Sequence, residues 1–168
     1  MRTIFSLLLV FTSTFISAQK KCNYKIDSAA ILKNTNLQGF IDSLQVLEIS
    51  TKNDKKYIPK GVQKALNCWA GKFSIANPVE PFQATDVVLV GKKLPWRRII
   101  YLGTSNNYLI MSYQHGGPAL FFRILLVKFE NDKIIDIWTG YGAELRTKSE
   151  ILRYLNSQKN KDQSIIYL

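Results

Sequence analysis

Residues 99–139 carry four runs of β-branched and aromatic residues, divided only by short clusters of turn formers. The runs are residues 99–103, 108–115, 120–130 and 133–139. The dividers are Ser105-Asn106, Gly116-Gly117-Pro118 and Asn131-Asp132. Connections this short cannot return the chain to a parallel start, which takes a crossover of about a dozen residues or more, so successive strands must pair antiparallel. Asn131-Asp132 suits a two-residue hairpin loop because both residue types tolerate positive φ. Everything else in the chain has to pack on this meander.

Upstream the periodicity changes. Leu37, Phe40, Ile41, Leu44 and Leu47 recur at three- and four-residue spacing, which predicts an amphipathic helix over residues 37–49 with Asn36 as N-cap. Residues 50–57 read as a polar loop. Pro59 opens a second helix whose stripe is Val62, Ala65, Leu66 and Trp69, with Gly71 as its stop. Thr147 and Glu150 form a capping box for a last helix to about Asn156, which turns Ile151, Leu152 and Leu155 inward. Residues 164–168 are apolar enough for a further edge strand. The expected fold is α+β: N-terminal helices packed on one face of a four- to five-stranded antiparallel meander sheet, with a C-terminal helix. The chain has 168 residues, 46% of them hydrophobic and 21% charged, and no repeat or linker, so one domain with a real core is expected.

The start reads MRTIFSLLLVFTSTFISAQ. Arg2 supplies a positive n-region, residues 4–15 an apolar run, and Ile16-Ser17-Ala18 a small-residue cleavage site before Gln19. Thr12, Ser13 and Thr14 interrupt the run, which is too short to span a bilayer comfortably. This predicts a signal peptide at residues 1–18 and a single exported domain at residues 19–168, periplasmic or extracellular. Gln19-Lys20-Lys21 before Cys22 lacks the small apolar residues of a lipid-attachment site. An oxidising compartment would pair the only two cysteines, Cys22 and Cys68, and closing that loop is worth about 4 kcal/mol. Two unpaired buried cysteines are the alternative.

The stretch LLVKFENDKIIDIWTG, residues 125–140, resembles the closing hairpin of the SnoaL/NTF2-like superfamily. There a strand, a short turn and Gly/Asn-Lys-Ile lead into an aromatic-bearing strand. The likeness implies a curved sheet behind leading helices, with a pocket that binds a small molecule or houses a general acid or base. It covers 16 of 168 residues. A helix usual between the early strands is not evident here, the last helix is extra, and no active-site residue carries over.

Little catalytic or metal chemistry is available. One histidine and two cysteines leave no ligand set for a metal, and no cofactor motif is present, so neither is expected. His115, in Gln-His-Gly-Gly-Pro, superficially resembles the His-Gly-Gly oxyanion loop of esterases, but the required G-x-S-x-G elbow is missing. Asp136 is the one acid flanked by apolar residues within a strand. An enzyme would draw on His115 or Asp136 as general acid or base; solvation at a turn and on an exposed sheet face explains both residues more simply.

Strand register gives the sharpest expectation. Pairing Gly103 with Asn107 sets Arg98 opposite Ser112. Pairing His115 with Leu120 sets Ser112 opposite Arg123. The turn at 131–132 sets Leu125 opposite Trp138 and Val127 opposite Asp136. Alternation then places Ile99, Tyr101, Met111, Tyr113, Ile124 and Ile137 on the core face. The other face carries Tyr108, Ile110, Phe121, Leu125 and Trp138, set with Arg98, Ser112, Gln114, Arg123 and Asp136. The candidate binding residues are therefore Arg98, Ser112, Gln114, Arg123 and Trp138. Two guanidiniums flanking a hydroxyl suit a carboxylate, a phosphate or an acidic side chain. An apolar face with a few convergent polar groups suits a ligand pocket or an interface. Cover by the tail or a loop is the alternative, and a one-residue slip would dissolve the row.

The charge is +11, falling to +10 when Arg2 leaves with the signal. No nucleic-acid signature accompanies it, and export removes the chain from nucleic acid, so none is expected as a partner. An acidic protein, an anionic ligand or electrostatic contact with an anionic envelope surface fits better. The expected function is an exported, non-enzymatic binding domain, of the inhibitor or immunity type in one concrete version. An NTF2-like small-molecule binder or enzyme is the alternative.

Overall fold

Helix α1 (Ser28–Leu32) leads into α2 (Leu37–Val46), the two-residue strand β1 (Ser50–Thr51), and α3 (Lys60–Trp69). A second short strand, β2 (Ile75–Ala76), precedes the meander of β3 (Arg97–Thr104), β4 (Tyr108–His115), β5 (Phe121–Glu130) and β6 (Lys133–Tyr141), and α4 (Lys148–Gln158) follows. The structure, a computed structural model, describes residues 22–86, 93–159, 161 and 163–168. The expected signal peptide lies outside them.

Local chemistry accounts for the element ends. The Asp27 carboxylate caps α1, accepting from the Ala30 N–H at 2.9 Å. In α2 the predicted stripe of Leu37, Phe40, Ile41 and Leu44 is buried, and the helix stops at Leu47, which is extended. Asn36 does not cap it. Its amide donates to Asp136 Oδ1 at 3.0 Å and to the Ile137 carbonyl at 2.9 Å, clipping the start of α2 to β6. Past α3, Gly71 takes the left-handed conformation at φ +70. At α4, Thr147 Oγ1 accepts from Glu150 N–H at 3.1 Å, while the Glu150 carboxylate accepts from Arg146 N–H rather than closing the box.

Among the described residues the sheet has six strands in the order β1-β3-β4-β5-β6, with β2 pairing parallel to β3 and the rest antiparallel. The long strands fall where the sequence puts them; β1 and β2 are too short to show a period. Asn131 and Asp132 both have positive φ, 47 and 62, as the tight hairpin requires. The tail makes a single bridge, Gly140 with Ser164, and two flanking hydrogen bonds to β6 rather than a full edge strand.

The register departs from the expected one at every ladder. Thr104 pairs with Leu109, so the first turn spans four residues, closed by Ser105 N–H to the Tyr108 carbonyl at 2.9 Å. His115 pairs with Phe121, one residue later than expected. An extra residue at Ile100 in β3 and another at Ile135 in β6 then bulge the ladders. Arg98 therefore faces Gln114, Ser112 faces Ile124, Trp138 faces Leu126 and Asp136 faces Lys128.

Both sheet faces carry core. On one, Ile99, Leu102, Met111, Tyr113, Leu125 and Val127 pack with Val62 and Leu66 of α3, with Phe73 and with Leu168. On the other, Tyr101, Ile110, Ile124, Leu126 and Trp138 pack with Phe40, Ile41 and Leu44 of α2 and with Ile151 and Leu155 of α4. Helices on one face only is thus corrected, and what covers the second face is helix rather than the tail or a loop alone: the apolar runs of β4 and β5 are those of a sheet covered on two sides.

Cys22 and Cys68 form a disulfide that staples the N-terminal segment to α3. Beside it the Trp69 indole N–H donates to the Tyr24 carbonyl at 3.0 Å and the two rings meet edge to face. Among the described residues, no helix is long and apolar enough to cross a membrane.

Candidate functional site

The register separates the five candidate binding residues. Arg98, Ser112, Gln114 and Trp138 point to the face covered by α2 and α4, and Arg123 points to the other. Ser112 is fully buried and its hydroxyl donates to the Leu145 carbonyl at 2.5 Å. Trp138 is buried as well, its indole N–H donating to Asn34 Oδ1 at 3.1 Å. Arg98 donates from Nε to Gln114 Oε1 at 2.9 Å and stacks 4.2 Å from the Phe82 ring centroid. Arg98 and Gln114 edge a recess of about 80 Å³ with Glu144 and Arg146, which is room for about two waters. The expected row of Arg98, Ser112 and Arg123 does not exist: the first turn moves the β3–β4 pairing by three residues, the bulge at Ile100 takes one of these back, and the second turn moves the β4–β5 pairing by one.

A different row takes its place. Arg97 pairs with His115, Tyr113 with Arg123, Arg123 with Tyr141, and Leu125 with Thr139. Alternation gathers Arg97, Tyr113, His115, Arg123 and Thr139 on the α3 face, at the end of the sheet where β3 and β5 begin and β4 and β6 finish. Arg97 and Arg123 stand two strands apart and two residues offset, about 12 Å at the backbone, with Tyr113 and His115 on the strand between them.

Both guanidiniums are held by aromatic rings. Arg97, only 6% exposed, lies 4.6 Å from the Phe73 centroid, and its Nη2 donates to the main-chain oxygen of Leu168 at 2.5 Å. Arg123 sits between the rings of Phe121 and Tyr141, at 5.7 and 5.4 Å. Tyr113, fully buried, meets Phe73 edge to face.

No acidic side chain among the described residues answers these charges. Among the described residues the ion pairs join Lys55 to Glu80, Lys56 to Asp54 and Arg146 to Glu144, so neither Arg97 nor Arg123 takes part in one. Several buried polar atoms here also lack a hydrogen-bond partner: Arg97 Nε, Arg123 Nε and Nη1, Tyr113 OH, His115 Nδ1 and Thr139 Oγ1. Thr139 and Arg97 lie near the phenol without reaching hydrogen-bond geometry.

Electrostatics follow from burial and like charge. Burial lowers the Arg97 guanidinium from its ordinary value and Arg123 adds to this, although arginine stays charged throughout. Burial raises the Tyr113 phenol and outweighs the opposing pull of the two arginines. His115 is lowered to about 4, first by burial and then by Arg97 and Arg123, so its imidazole is neutral near pH 7. Two cations, two hydroxyls and a neutral imidazole are equipped to hold an anion. They are poorly equipped for proton transfer near neutrality, for which a general base should titrate close to the working pH.

His115 and Asp136 do not meet. His115 lies at the two-arginine end, while Asp136 pairs with Lys128 near the opposite hairpin and accepts from Asn36 and from Ile137 N–H. Sequence reasoning missed Arg97, Tyr113 and Thr139. The tandem Arg97-Arg98 carried the relevant signal, and the undetected one-residue shift chose the wrong member. Comparison with protein-family models, curated proteins and solved structures finds no match for this chain.

Proposed function

We propose that this chain is an exported binding domain that takes an anionic group, a carboxylate or a phosphate, between Arg97 and Arg123. The observation that carries the reading is a pair of arginines on one sheet face, one of them nearly fully buried, with no acidic side chain among the described residues paired to either and only the Leu168 main-chain oxygen set against Arg97. Removing a charge from water costs several kcal/mol unless something repays it. The Phe73 ring and one main-chain oxygen offset part of this for Arg97, and a ligand's oxyanion would supply the rest. Unpartnered donors beside the two cations support the same reading, since an anion can accept from them. An acidic side chain of a protein presents the same carboxylate, so an inhibitor or immunity-type role would be one use of the site. The signal-like N-terminus and the disulfide support export.

Calorimetric titration of the mature domain with acetate and with inorganic phosphate tests this. Arg97→Gln and Arg123→Gln should each weaken binding at least about tenfold, close to the worth of one charge-assisted hydrogen bond. Arg98→Gln, on the opposite face, should leave it unchanged. Binding of neither anion by the native domain, or equal loss in Arg98→Gln, would overturn the reading.

A further inference from the structure

We infer that the anion is carried on an apolar body, making the ligand an amphipathic oxyanion such as a fatty or aromatic acid. This rests on the anion-binding reading above and extends it to the ligand's other half.

The rim of the site carries the argument. Trp96, Leu120, Phe121 and Tyr141 are 38%, 42%, 37% and 42% exposed, four of the ten large apolar side chains that stand out in solvent among the described residues. These four fall at one end of the sheet, and Phe121 and Tyr141 lie directly against Arg123. Phe121 is the cross-strand partner of His115, Tyr141 that of Arg123, and Leu120 directly precedes Phe121. Trp96 is held at the same end by the Gly116 N–H, which donates to its carbonyl at 2.8 Å. Apolar surface gathered in this way marks a binding site far more often than scattered residues do.

The cations and the rim are one structure. The Arg123 guanidinium is flanked by the same two rings, Phe121 and Tyr141, that form the outer wall, while the Tyr113 hydroxyl and Arg97 lie beneath, shielded from water. A small hydrated anion would reach the donors and leave the rings wet. An anion with an apolar body places its head on the guanidiniums and its body against the Phe121 and Tyr141 rings, burying both at once. An acidic protein patch matches this less well, being dense in charge and poor in apolar surface.

The full mature domain is titrated calorimetrically with acetate, decanoate, 2-naphthoate and decanol, the acids kept below their aggregation concentrations. At least one of the two amphipathic acids should bind about tenfold or more tighter than acetate, a difference of about 1.4 kcal/mol. Phe121→Ser with Tyr141→Ser should abolish that advantage, so that the larger acids bind no tighter than acetate does to the same variant. Arg123→Gln should weaken both classes of acid, and Arg123→Lys should recover part of the loss, which distinguishes a lost charge from a damaged fold. Equal affinity for acetate and both larger acids would overturn the apolar-body inference and leave the anion site standing. Decanol binding as tightly as decanoate, or decanoate held equally by Arg123→Gln, would mean apolar adsorption and would overturn it too. Binding of no acid at all would overturn the anion reading and this inference together.

Discussion

Tyr113 and Arg123 stand directly opposite each other across the β4–β5 ladder, and neither the phenol oxygen nor Arg123 Nε and Nη1 finds a hydrogen-bond partner. A buried hydroxyl without a partner costs stability, roughly 1–3 kcal/mol by comparison with a satisfied one. Tyr113→Phe removes it and keeps the ring on Phe73. The variant should be as stable as the native domain or up to about 1 kcal/mol more stable in urea unfolding, and should bind acetate more weakly. That combination is the mark of a residue kept for binding at the expense of the fold. A clear loss of stability would mean instead that the hydroxyl holds the core together.

His115 provides a direct pH readout, because it is the only histidine in the chain. Its folded value of about 4 lies below the ordinary 6.5, so the fold favours the neutral imidazole. Above pH 6.5 neither folded nor unfolded chain binds the proton and the contribution is complete. As pH falls from 6.5 to 4 the unfolded chain takes up a proton that the folded one refuses, and stability is lost. For a half-buried group, after allowance for solvent screening, the loss is about 1–2 kcal/mol. Urea midpoints between pH 4 and 7 should therefore slope less steeply for His115→Gln. The imidazole proton resonance should titrate near 4 in the free domain and move upward when acetate neutralises the arginines. A midpoint that ignores acetate would separate His115 from the anion.

The Cys22–Cys68 bridge closes a separation of 46 residues. In the chain-entropy account a loop of this length is worth about 4 kcal/mol. Reduction, or Cys22→Ser with Cys68→Ser, should lower stability by that order. It should also free the segment before α1, where Tyr24 rests on Trp69, for proteolysis. Intact protease resistance after reduction would show that the Trp69–Tyr24 contact suffices to hold the segment.

Most of the framework was legible because it depends on local pattern. The stripe of Leu37, Phe40, Ile41 and Leu44, the turn at Asn131-Asp132 and the Thr147 cap each follow from side-chain period or backbone preference within a few residues. Strand register is not local in this way. One additional residue at Ile100 exchanges Arg98 for Arg97 on the binding face, and no hydrophobic pattern warned of it because both faces of the sheet are buried and equally apolar. The same two-sided burial made an open apolar face look plausible when α2 and α4 in fact cover it. Asn36 failed as a cap for a tertiary reason: its amide nitrogen is tied to Asp136 and to the Ile137 carbonyl, a hundred residues away in sequence, and its Oδ1, the atom a cap would use, accepts from no helix N–H.

Helix α3 reaches the β5–β6 hairpin at a point where only glycine fits. A Cβ on Gly61 would stand 1.6 Å from the Asp132 carbonyl oxygen, which is backbone and cannot swing aside. The same Asp132 occupies the left-handed region that makes the turn tight, so the hairpin cannot retreat without losing its own geometry. Gly61→Ala must therefore displace α3, whose Val62, Ala65 and Leu66 are all fully buried. Alanine's better helix propensity would return only about 1 kcal/mol. Overpacking typically costs about 1–3 kcal/mol, and a clash with main chain belongs at the upper end. Gly61→Ala should thus lower the unfolding free energy measured in urea by about 1–2 kcal/mol or more, while Gly39→Ala, in α2 with open space around it, should be neutral or stabilising. If Gly61→Ala were as stable as Gly39→Ala, the close seat of α3 on the hairpin would be wrong. The α3 side of the sheet, with Phe73 under Arg97, would then need to be redrawn.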